Sequence, residues 1–318
     1  MPPSPSNPMG YAVLFPGQGS QFVGMGADLF EARPDLLGDA ADEVLGFSLR
    51  EVCLQGPEER LTRTEHAQPA LFALSYALWE ELSAHVPPPV AAAGHSLGEY
   101  TALAAAGVFS YSDALAVVAE RGRAMADASD ANPSSMAAVI GADLEVVEAA
   151  CSVRRSEGGS LWVANINAPG QVVVAGGVDD IEWLEEKASA LGLRRVVGLA
   201  VAGAFHSPFM QSASDRLAAS FEGVEISEGR FPVYSNVTAG PVTSEDLVPT
   251  LVDQVVSPVR FSETLEKMAA SGIDTFVHVG PGDVTAGLAR RTVRGSNVIA
   301  VSSLDDVGVA TDALGSIS

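Results

Sequence analysis

The stretch that decides the fold runs from position 90 to position 107 and reads VAAAGHSLGEYTALAAAG. Val90 to Ala93 is small and apolar, which favours a short buried strand, although propensity alone supports it only weakly. Glu99 to Ala106 is rich in alanine and leucine and closes at Gly107, which is typical of a helix. The sequence therefore predicts a sharp strand-to-helix turn over Gly94-His95-Ser96-Leu97-Gly98.

This turn matches the pattern G-x-S-x-G, in which a tight bend lifts a serine hydroxyl out of a sheet. Side chains at positions 94 and 98 would crowd the bend against neighbouring backbone. At the start of a helix, the Leu97 amide would face a developing oxyanion, and the helix dipole would add to its field. A chance turn of Gly and Ser is the alternative, and the strand-helix context favours a nucleophilic Ser96.

The segments before the turn indicate further elements of an α/β protein. Tyr11 to Phe15 is a short apolar run that predicts a buried strand, followed by the loop Pro16-Gly17-Gln18-Gly19-Ser20-Gln21. Apolar residues at helical spacing predict a helix over Pro69 to His85, ended by the prolines at 87–89. Much later, Phe276 to Val279 predicts a strand, followed by Gly280-Pro281-Gly282 and a helix through Arg291.

Between positions 135 and 202 the pattern changes to strand, helix, two strands, helix and strand. Asn167-Ala168-Pro169-Gly170 predicts the hairpin turn between the two central strands. This order is typical of a ferredoxin-like unit. The predicted elements are Met136–Ile140, Leu144–Val153, Leu161–Ile166, Gln171–Ala175, Ile181–Leu191 and Arg195–Val201.

These patterns predict an α/β fold with two subdomains. We expect a large α/β hydrolase-like subdomain with a mostly parallel sheet, formed by residues 11–132 and 203–318, and a small ferredoxin-like α+β subdomain at 133–202. The chemistry would lie in the cleft between them. Residues 1–10, rich in Pro, Ser and Asn and unlike a signal peptide, are expected to form a disordered tail.

Composition excludes several classes of function. The chain has 318 residues, of which 47% are hydrophobic, and a formal net charge of −22. That charge argues against nucleic acid or an anionic membrane as the main partner, and no apolar run approaches the ~20 residues that span a bilayer. Cys53 and Cys151 lie far apart in apolar surroundings, which supports neither a disulfide framework nor a metal site. We expect a cytoplasmic monomer.

Two motifs together resemble a known enzyme family. Gly94-His95-Ser96-Leu97-Gly98-Glu99-Tyr100 and the loop at 16–21 are similar to the malonyl-CoA:acyl-carrier-protein transacylase family and to the acyltransferase domains of polyketide synthases, and the likeness extends from about Tyr11 to about Leu304. The resemblance implies ping-pong transfer of malonyl from coenzyme A to the phosphopantetheine thiol of an acyl carrier protein through acyl-Ser96, without a metal or bound cofactor. A different acyl unit serving a polyketide assembly line, or a serine thioester hydrolase, are the alternatives.

A serine nucleophile needs a base, because its free hydroxyl is a weak attacker at neutral pH. Among five histidines, the sequence alone favours His206 only for its position just after the insert, whereas the resemblance makes it the catalytic histidine. The resemblance also implies that a main-chain carbonyl near Gln254 orients the imidazole, which would give a dyad of Ser96 and His206. An aspartate-assisted triad stays open.

Arg121 lies on an apolar-patterned helix from Asp113 to Met125 and has two interpretations. From the residues alone, a surface charge paired with Glu120 is favoured. The resemblance instead makes Arg121 the partner of the malonyl carboxylate, which a guanidinium can bind with two parallel hydrogen bonds.

The resemblance assigns further roles around the acyl group. Gln18 would be the second oxyanion contact beside Leu97. Gln68 matches a polar active-site position, although a glutamine at a helix start is an equally good interpretation. Met125 and Phe205 would form an apolar wall, and the Phe205 ring would disfavour the α-methyl of a methylmalonyl group, although one methyl is worth only about 1–3 kcal/mol.

Two short basic clusters offer a docking surface for the carrier protein. The resemblance implies an acidic carrier, which positive charge near the cleft would attract. Ordinary solvated charge is the alternative interpretation of these residues. The four candidates are Arg194, Arg195, Arg290 and Arg291.

Overall fold

The computed structural model describes residues 10–315, so the predicted tail at 1–10 lies, apart from Gly10, outside the described residues. The strands within this range are β1 Tyr11–Phe15, β2 Ala91–Gly94, β3 Ser134–Ile140, β4 Leu161–Ala168, β5 Gln171–Gly177, β6 Arg195–Gly198, β7 Val233–Tyr234, β8 Thr275–Val279 and β9 Asn297–Val301. The helices within it are α1 Ala27–Ala32, α2 Pro34–Leu37, α3 Asp39–Leu45, α4 Leu49–Gln55, α5 Glu58–Thr62, α6 Thr64–Ser83, α7 Gly98–Ala106, α8 Tyr111–Ala131, α9 Leu144–Ser156, α10 Val178–Lys187, α11 Gln211–Ser220, α12 Leu247–Gln254, α13 Phe261–Ala270, α14 Val284–Thr292 and α15 Asp305–Gly315.

A five-stranded sheet in the order β7-β2-β1-β8-β9 forms the centre of the larger part of the fold. All of its neighbouring strands are parallel, as expected for a hydrolase-like subdomain. Tyr11, Val13 and Phe15 of β1 pack into one hydrophobic core, and Ala12 and Leu14 pack into another. The central strand is therefore buried on both faces, which explains why it reads as a continuous apolar run.

A second, four-stranded sheet in the order β4-β5-β3-β6 is antiparallel throughout. With α9 and α10 it forms the strand-helix-strand-strand-helix-strand order of a ferredoxin-like unit, so the predicted α/β fold class is confirmed. Val139, Val147 and Val174 lie in its own core, and Gly170 makes the predicted hairpin turn with a φ of 71°. Its strands lie within 134–198, and we propose 133–202 as the limits of the subdomain.

Several helices differ from their predicted bounds, and α6 differs at its start. Helix α6 begins at Thr64, five residues before Pro69, and contains the proline. Proline lacks the N–H that would bond to the carbonyl four residues earlier, so sequence rules place a helix boundary there. Thr64, Ala67 and Gln68 are buried in the turn before the proline, so packing stabilises this turn and outweighs one missing hydrogen bond. Gln68 therefore lies inside the helix.

Between residues 10 and 315 we find no helix with the length and apolar character needed to cross a membrane.

Candidate active site

Ser96 lies at the carboxyl end of β2, on the bend that leads into α7. Its φ is 51°, in the left-handed region that side chains rarely adopt. A Cβ at Gly94 would lie 1.8 Å from the Gly98 carbonyl carbon, and a Cβ at Gly98 would lie 2.2 Å from the Phe15 carbonyl oxygen. Only glycine fits at either position, as the sequence indicated.

Two distant side chains fix the backbone of Ser96. The Ser96 N–H donates to Asn236 Oδ1 at 2.7 Å, and Gln254 Nε2 donates to the Ser96 carbonyl at 3.0 Å. Asn236 also donates through Nδ2 to the Gly94 carbonyl at 2.7 Å. The serine is therefore held by residues 140 and 158 positions later in the chain.

Sequence reasoning did not identify Asn236. It follows the two-residue strand β7, which pairs with β2 in parallel. Polar residues just after neighbouring parallel strands converge at one edge of a sheet. That rule would have found Asn236, but a strand of two residues leaves too little pattern to recognise.

His206 contacts Ser96 directly. Its Nε2 lies 2.8 Å from Ser96 Oγ, and its Nδ1 lies 2.8 Å from the main-chain carbonyl oxygen of Gln254. A carbonyl can only accept, so Nδ1 carries the proton and Nε2 is left free to accept one. The ring is buried, and its backbone φ of 58° lies in the left-handed region. This arrangement suits a general base.

Burial, followed by the nearby Arg121 charge, lowers the pKa of His206 to about 3. The imidazole is therefore neutral at pH 7 in the free protein, which is the form that a base requires. The Gln254 carbonyl acts in the opposite direction and raises the pKa by accepting from the ring.

The pH dependence of the reaction should follow from this shift. Because the neutral form of His206 persists below its ordinary pKa of 6.5, kcat/KM for a reaction in which His206 acts as the base should show no loss from this group as the pH falls from about 8 to about 6. A titration of kcat/KM over that range measures it. An acidic limb with a midpoint near the ordinary histidine value would contradict the prediction.

Arg121 is buried at the bottom of the same site, with 1% of its surface exposed. Its Nη1 donates to Gln68 Oε1 at 2.6 Å, and its Nη2 donates to Ser96 Oγ and Gln254 Oε1, both at 3.0 Å. The surface interpretation is wrong, because Glu120 instead forms salt bridges with Arg123 and Arg216. All three of these hydrogen-bond partners of Arg121 are neutral.

Apolar side chains form the wall beside the serine. Met125 lies one helical turn after Arg121 on α8, and its Sδ accepts from Gln68 Nε2 at 3.4 Å. Met125 is 2% exposed and Phe205 is 7% exposed. Both line the cavity with Ser96, as the resemblance implied.

The cavity has a volume of about 240 Å³ and lies between the two sheets. Gln18 and Leu97 line it, and within residues 10–315 neither of their main-chain N–H groups donates to another protein group. The Gln18 side chain bonds elsewhere, to Thr62 O and Thr64 Oγ1 at 3.4 Å. Two free amides therefore border the space next to the serine.

His95 packs within the turn beside Ser96. Its Nε2 lies 2.7 Å from Asn167 Oδ1, and its ring centroid lies 5.3 Å from that of Phe261. The contact with Asn167 joins the large sheet's loop to the small sheet, because Asn167 belongs to β4.

The four candidate docking arginines are all exposed, but they lie in two places. Arg291 lines the cavity from α14, and Arg290 beside it donates to the Val298 carbonyl at 3.4 Å. Arg194 and Arg195 lie at the start of β6, the edge strand of the small sheet. None of the four forms a salt bridge within the described residues.

The chain is similar to known acyl transferases along most of its length. The model of the acyl transferase domain family matches residues 13–309. The malonyl CoA-acyl carrier protein transacylase of Bacillus subtilis is 40% identical over 306 residues, which is 95% of this chain and 96% of that protein. The chain belongs to the malonyl-CoA:acyl-carrier-protein transacylase family. It is therefore an acyltransferase.

Other members of the transacylase family are similar along their whole length. The enzyme of the same name from Staphylococcus aureus strain COL is 39% identical over 300 residues, covering 93% of this chain and 96% of that protein. The crystal structure of the acyl-carrier-protein S-malonyltransferase from Bartonella henselae has a TM-score of 0.91 and 37% identity, covering 96% of this chain and all of that one.

A further transacylase structure contains its carrier protein. It is a complex of a type II polyketide-synthase acyl carrier protein with its malonyl transacylase, and the matched chain has a TM-score of 0.90 and 37% identity. The match covers 96% of this chain and 99% of that chain. Members of the transacylase family that resemble this chain thus include one described from polyketide synthesis.

Proposed function

We propose that this acyltransferase moves a malonyl group from coenzyme A to the phosphopantetheine thiol of an acyl carrier protein through an acyl-Ser96 intermediate. The observation that carries the proposal is the position of Arg121, a buried guanidinium 3.0 Å from the Ser96 hydroxyl that bonds directly to no carboxylate within residues 10–315. An acyl group that ends in a carboxylate would supply that partner. The names of the similar proteins support the same choice.

The first half-reaction acylates Ser96. Ser96 Oγ attacks the thioester carbonyl while His206 Nε2 takes its proton, and the free amides of Gln18 and Leu97 stabilise the oxyanion. The tetrahedral intermediate then collapses, the bond from carbon to sulfur breaks, and His206 returns the proton to the coenzyme A thiolate. The Gln254 carbonyl accepts from Nδ1 and keeps that nitrogen protonated, so Nε2 is the nitrogen that takes and returns the proton.

The malonyl carboxylate has a second effect in this scheme. In the free protein the Arg121 charge is one cause of the low pKa of His206. A carboxylate bound to Arg121 would offset that charge, so the pKa of His206 would rise toward the range in which a base works efficiently. The substrate itself would therefore activate the dyad.

The second half-reaction reverses these steps with a different thiol. Coenzyme A leaves, and the phosphopantetheine thiol of the carrier enters the same cavity and gives its proton to His206. The thiolate attacks the acyl-serine ester, and the collapse releases Ser96 Oγ, which regains the proton from His206. No redox or metal-dependent step is needed, since one thioester is exchanged for another.

The decisive experiment measures the mass of the intact protein after brief exposure to malonyl-, methylmalonyl- and acetyl-CoA. We expect one malonyl group per chain, less methylmalonyl because of Phe205, and little acetyl. Adding a phosphopantetheinylated carrier should then return the mass to that of the free protein and malonylate the carrier. Preference for an acyl group without a carboxylate would contradict the malonyl proposal, and loss of the adduct to water without the carrier would indicate a hydrolase.

The docking surface gives a separate prediction. Reversing the charge of Arg194, Arg195 and Arg290 should raise the KM for an acidic carrier severalfold and leave acylation by malonyl-CoA unchanged. Exposed charges at the edge of a protein interface mainly change the rate at which the two proteins associate. Arg291 lines the cavity and is tested alone, since its reversal could also disturb coenzyme A. Steady-state kinetics of both half-reactions measure the effect, with Arg50→Glu, outside the cavity, as the matched control. An unchanged KM for the carrier protein would contradict the proposed docking surface.

A further inference from the structure

Glu99 is a buried acid for which the reaction above has no use. It lies in the first turn of α7, is 0% exposed, and is the one charged residue of that helix. Its Oε2 accepts from Gln254 Nε2 at 2.6 Å and from the Asn236 N–H at 3.0 Å. Its Oε1 is buried and has no hydrogen-bond partner within residues 10–315. A buried carboxylate of this kind is costly unless a positive charge balances it.

The positive charge that balances Glu99 is that of Arg121, and the side-chain amide of Gln254 bonds to both residues. The Gln254 side chain accepts from Arg121 Nη2 through Oε1 at 3.0 Å and donates to Glu99 Oε2 through Nε2 at 2.6 Å. Each charge is therefore bound to one end of the same amide dipole. Within residues 10–315 the two form no direct salt bridge, so the guanidinium stays open toward the cavity.

We propose that Glu99 is the internal counter-ion of Arg121 and that its negative charge lowers the affinity of the site for an acyl carboxylate. The inference rests on the proposed function, because it assigns Arg121 to that carboxylate. An acyl carboxylate and Glu99 would share one positive charge, so each weakens the attraction of Arg121 for the other. The same pairing stabilises the empty site, in which Arg121 would otherwise be a buried cation with neutral partners only.

The variant Glu99→Gln removes the negative charge at position 99 and keeps the size and shape of the side chain. Its Oε1 can accept from Asn236 and Gln254 as Glu99 Oε2 does, so the hydrogen bonds around Ser96 are kept. Arg121 then loses its counter-charge, and malonyl-CoA should bind more tightly. The gain would be about equal in the ground state and the transition state, so kcat should change little.

The titration of Glu99 sets the conditions of the test. Burial raises the pKa of Glu99 to about 7, against the lowering effect of its hydrogen bonds and of Arg121. Arg121 from α8 and Tyr100 from α7 are the charged or titratable groups that act on it, and Ser235, Asn236 and Gln254 are neutral. Measurements at about pH 8 keep the wild-type carboxylate ionised.

The test measures the dissociation constant of malonyl-CoA by calorimetry at about pH 8 in a Ser96→Ala background, where no acyl transfer occurs. Adding Glu99→Gln should tighten malonyl-CoA binding roughly tenfold, the size expected for one unit charge acting across a protein interior. Acetyl-CoA binding should not change. Glu99→Gln should affect malonyl-CoA binding much less once Arg121→Met is present, because loss of the Arg121 charge raises the pKa of Glu99 and favours its neutral form.

Unchanged or weaker malonyl-CoA binding would overturn the proposal, and so would an equal change for acetyl-CoA. Denaturant unfolding is the second measurement. Glu99→Gln should destabilise the wild-type protein more than it destabilises Arg121→Met, and equal effects would contradict the pairing even if the single variant folds poorly. Failure of the proposed function is visible separately, as a wild-type protein that malonyl-CoA does not acylate.

Discussion

Ser96→Ala is expected to lower the rate of acyl transfer by at least about 10⁴-fold, because Ser96 Oγ is the one hydroxyl that hydrogen-bonds to the His206 ring within residues 10–315. The variant should keep its fold, since the bonds that fix the bend use the main chain of Ser96. Intact-protein mass after exposure to malonyl-CoA should show no adduct. Release of coenzyme A over time gives the residual rate.

Ser75→Ala is the matched control for this prediction. Ser75 is also a buried serine, it lies on α6, and its hydroxyl has no hydrogen-bond partner within residues 10–315. Its loss should leave acylation unchanged. An adduct on Ser96→Ala in the same stoichiometry as on the wild type would place the nucleophile elsewhere and remove the basis of the proposed mechanism.

Arg121→Ala is expected to lower kcat/KM for malonyl-CoA by about 10²–10³-fold, because the acyl carboxylate would enter a buried site without its counter-charge. Acetyl-CoA lacks that carboxylate, so its kcat/KM should stay the same or rise. The specificity for malonyl over acetyl should therefore collapse. Competition between the two thioesters, read by the mass of the acylated protein, measures the ratio directly.

Arg123→Ala provides the comparison, two positions further along α8. Its side chain is 43% exposed and forms a salt bridge with Glu120 at 3.2 Å. Exposed pairs of this kind contribute about 0–1 kcal/mol, so the specificity should not change. If Arg121→Ala kept the preference for malonyl, another group would have to bind the acyl carboxylate.

Local patterns were enough to predict most of the fold. The bend at 94–98 depends on two glycines that have no room for a side chain, and such a steric requirement is visible in the sequence. The order of elements between 134 and 198 follows from alternating strand and helix periods. The start of α6 is not predictable from Pro69 alone, because the burial of Thr64, Ala67 and Gln68 in the preceding turn depends on tertiary packing.

The parts of the site that sequence reasoning missed depend on contacts between distant segments. Periodicity places Arg121 on a helix, but its burial depends on Gln68, 53 positions earlier, and on Gln254, 133 positions later. Glu99 carried a usable signal, as the single charge in a helix of small apolar residues. A charge in such surroundings indicates a buried partner but does not identify it.

The hydrogen bonds that fix the Ser96 backbone make the reactivity of Ser96 depend on complete folding of the chain. The amide and the carbonyl of Ser96 are held by Asn236 and Gln254, and the carbonyl that contacts the His206 ring also belongs to Gln254. A chain in which only the first two thirds had folded would contain the serine without any of these supports. The rate at which a hydroxyl-directed reagent labels Ser96 during refolding should therefore rise only when the last third of the chain folds. Partly folded chains would not be acylated at Ser96.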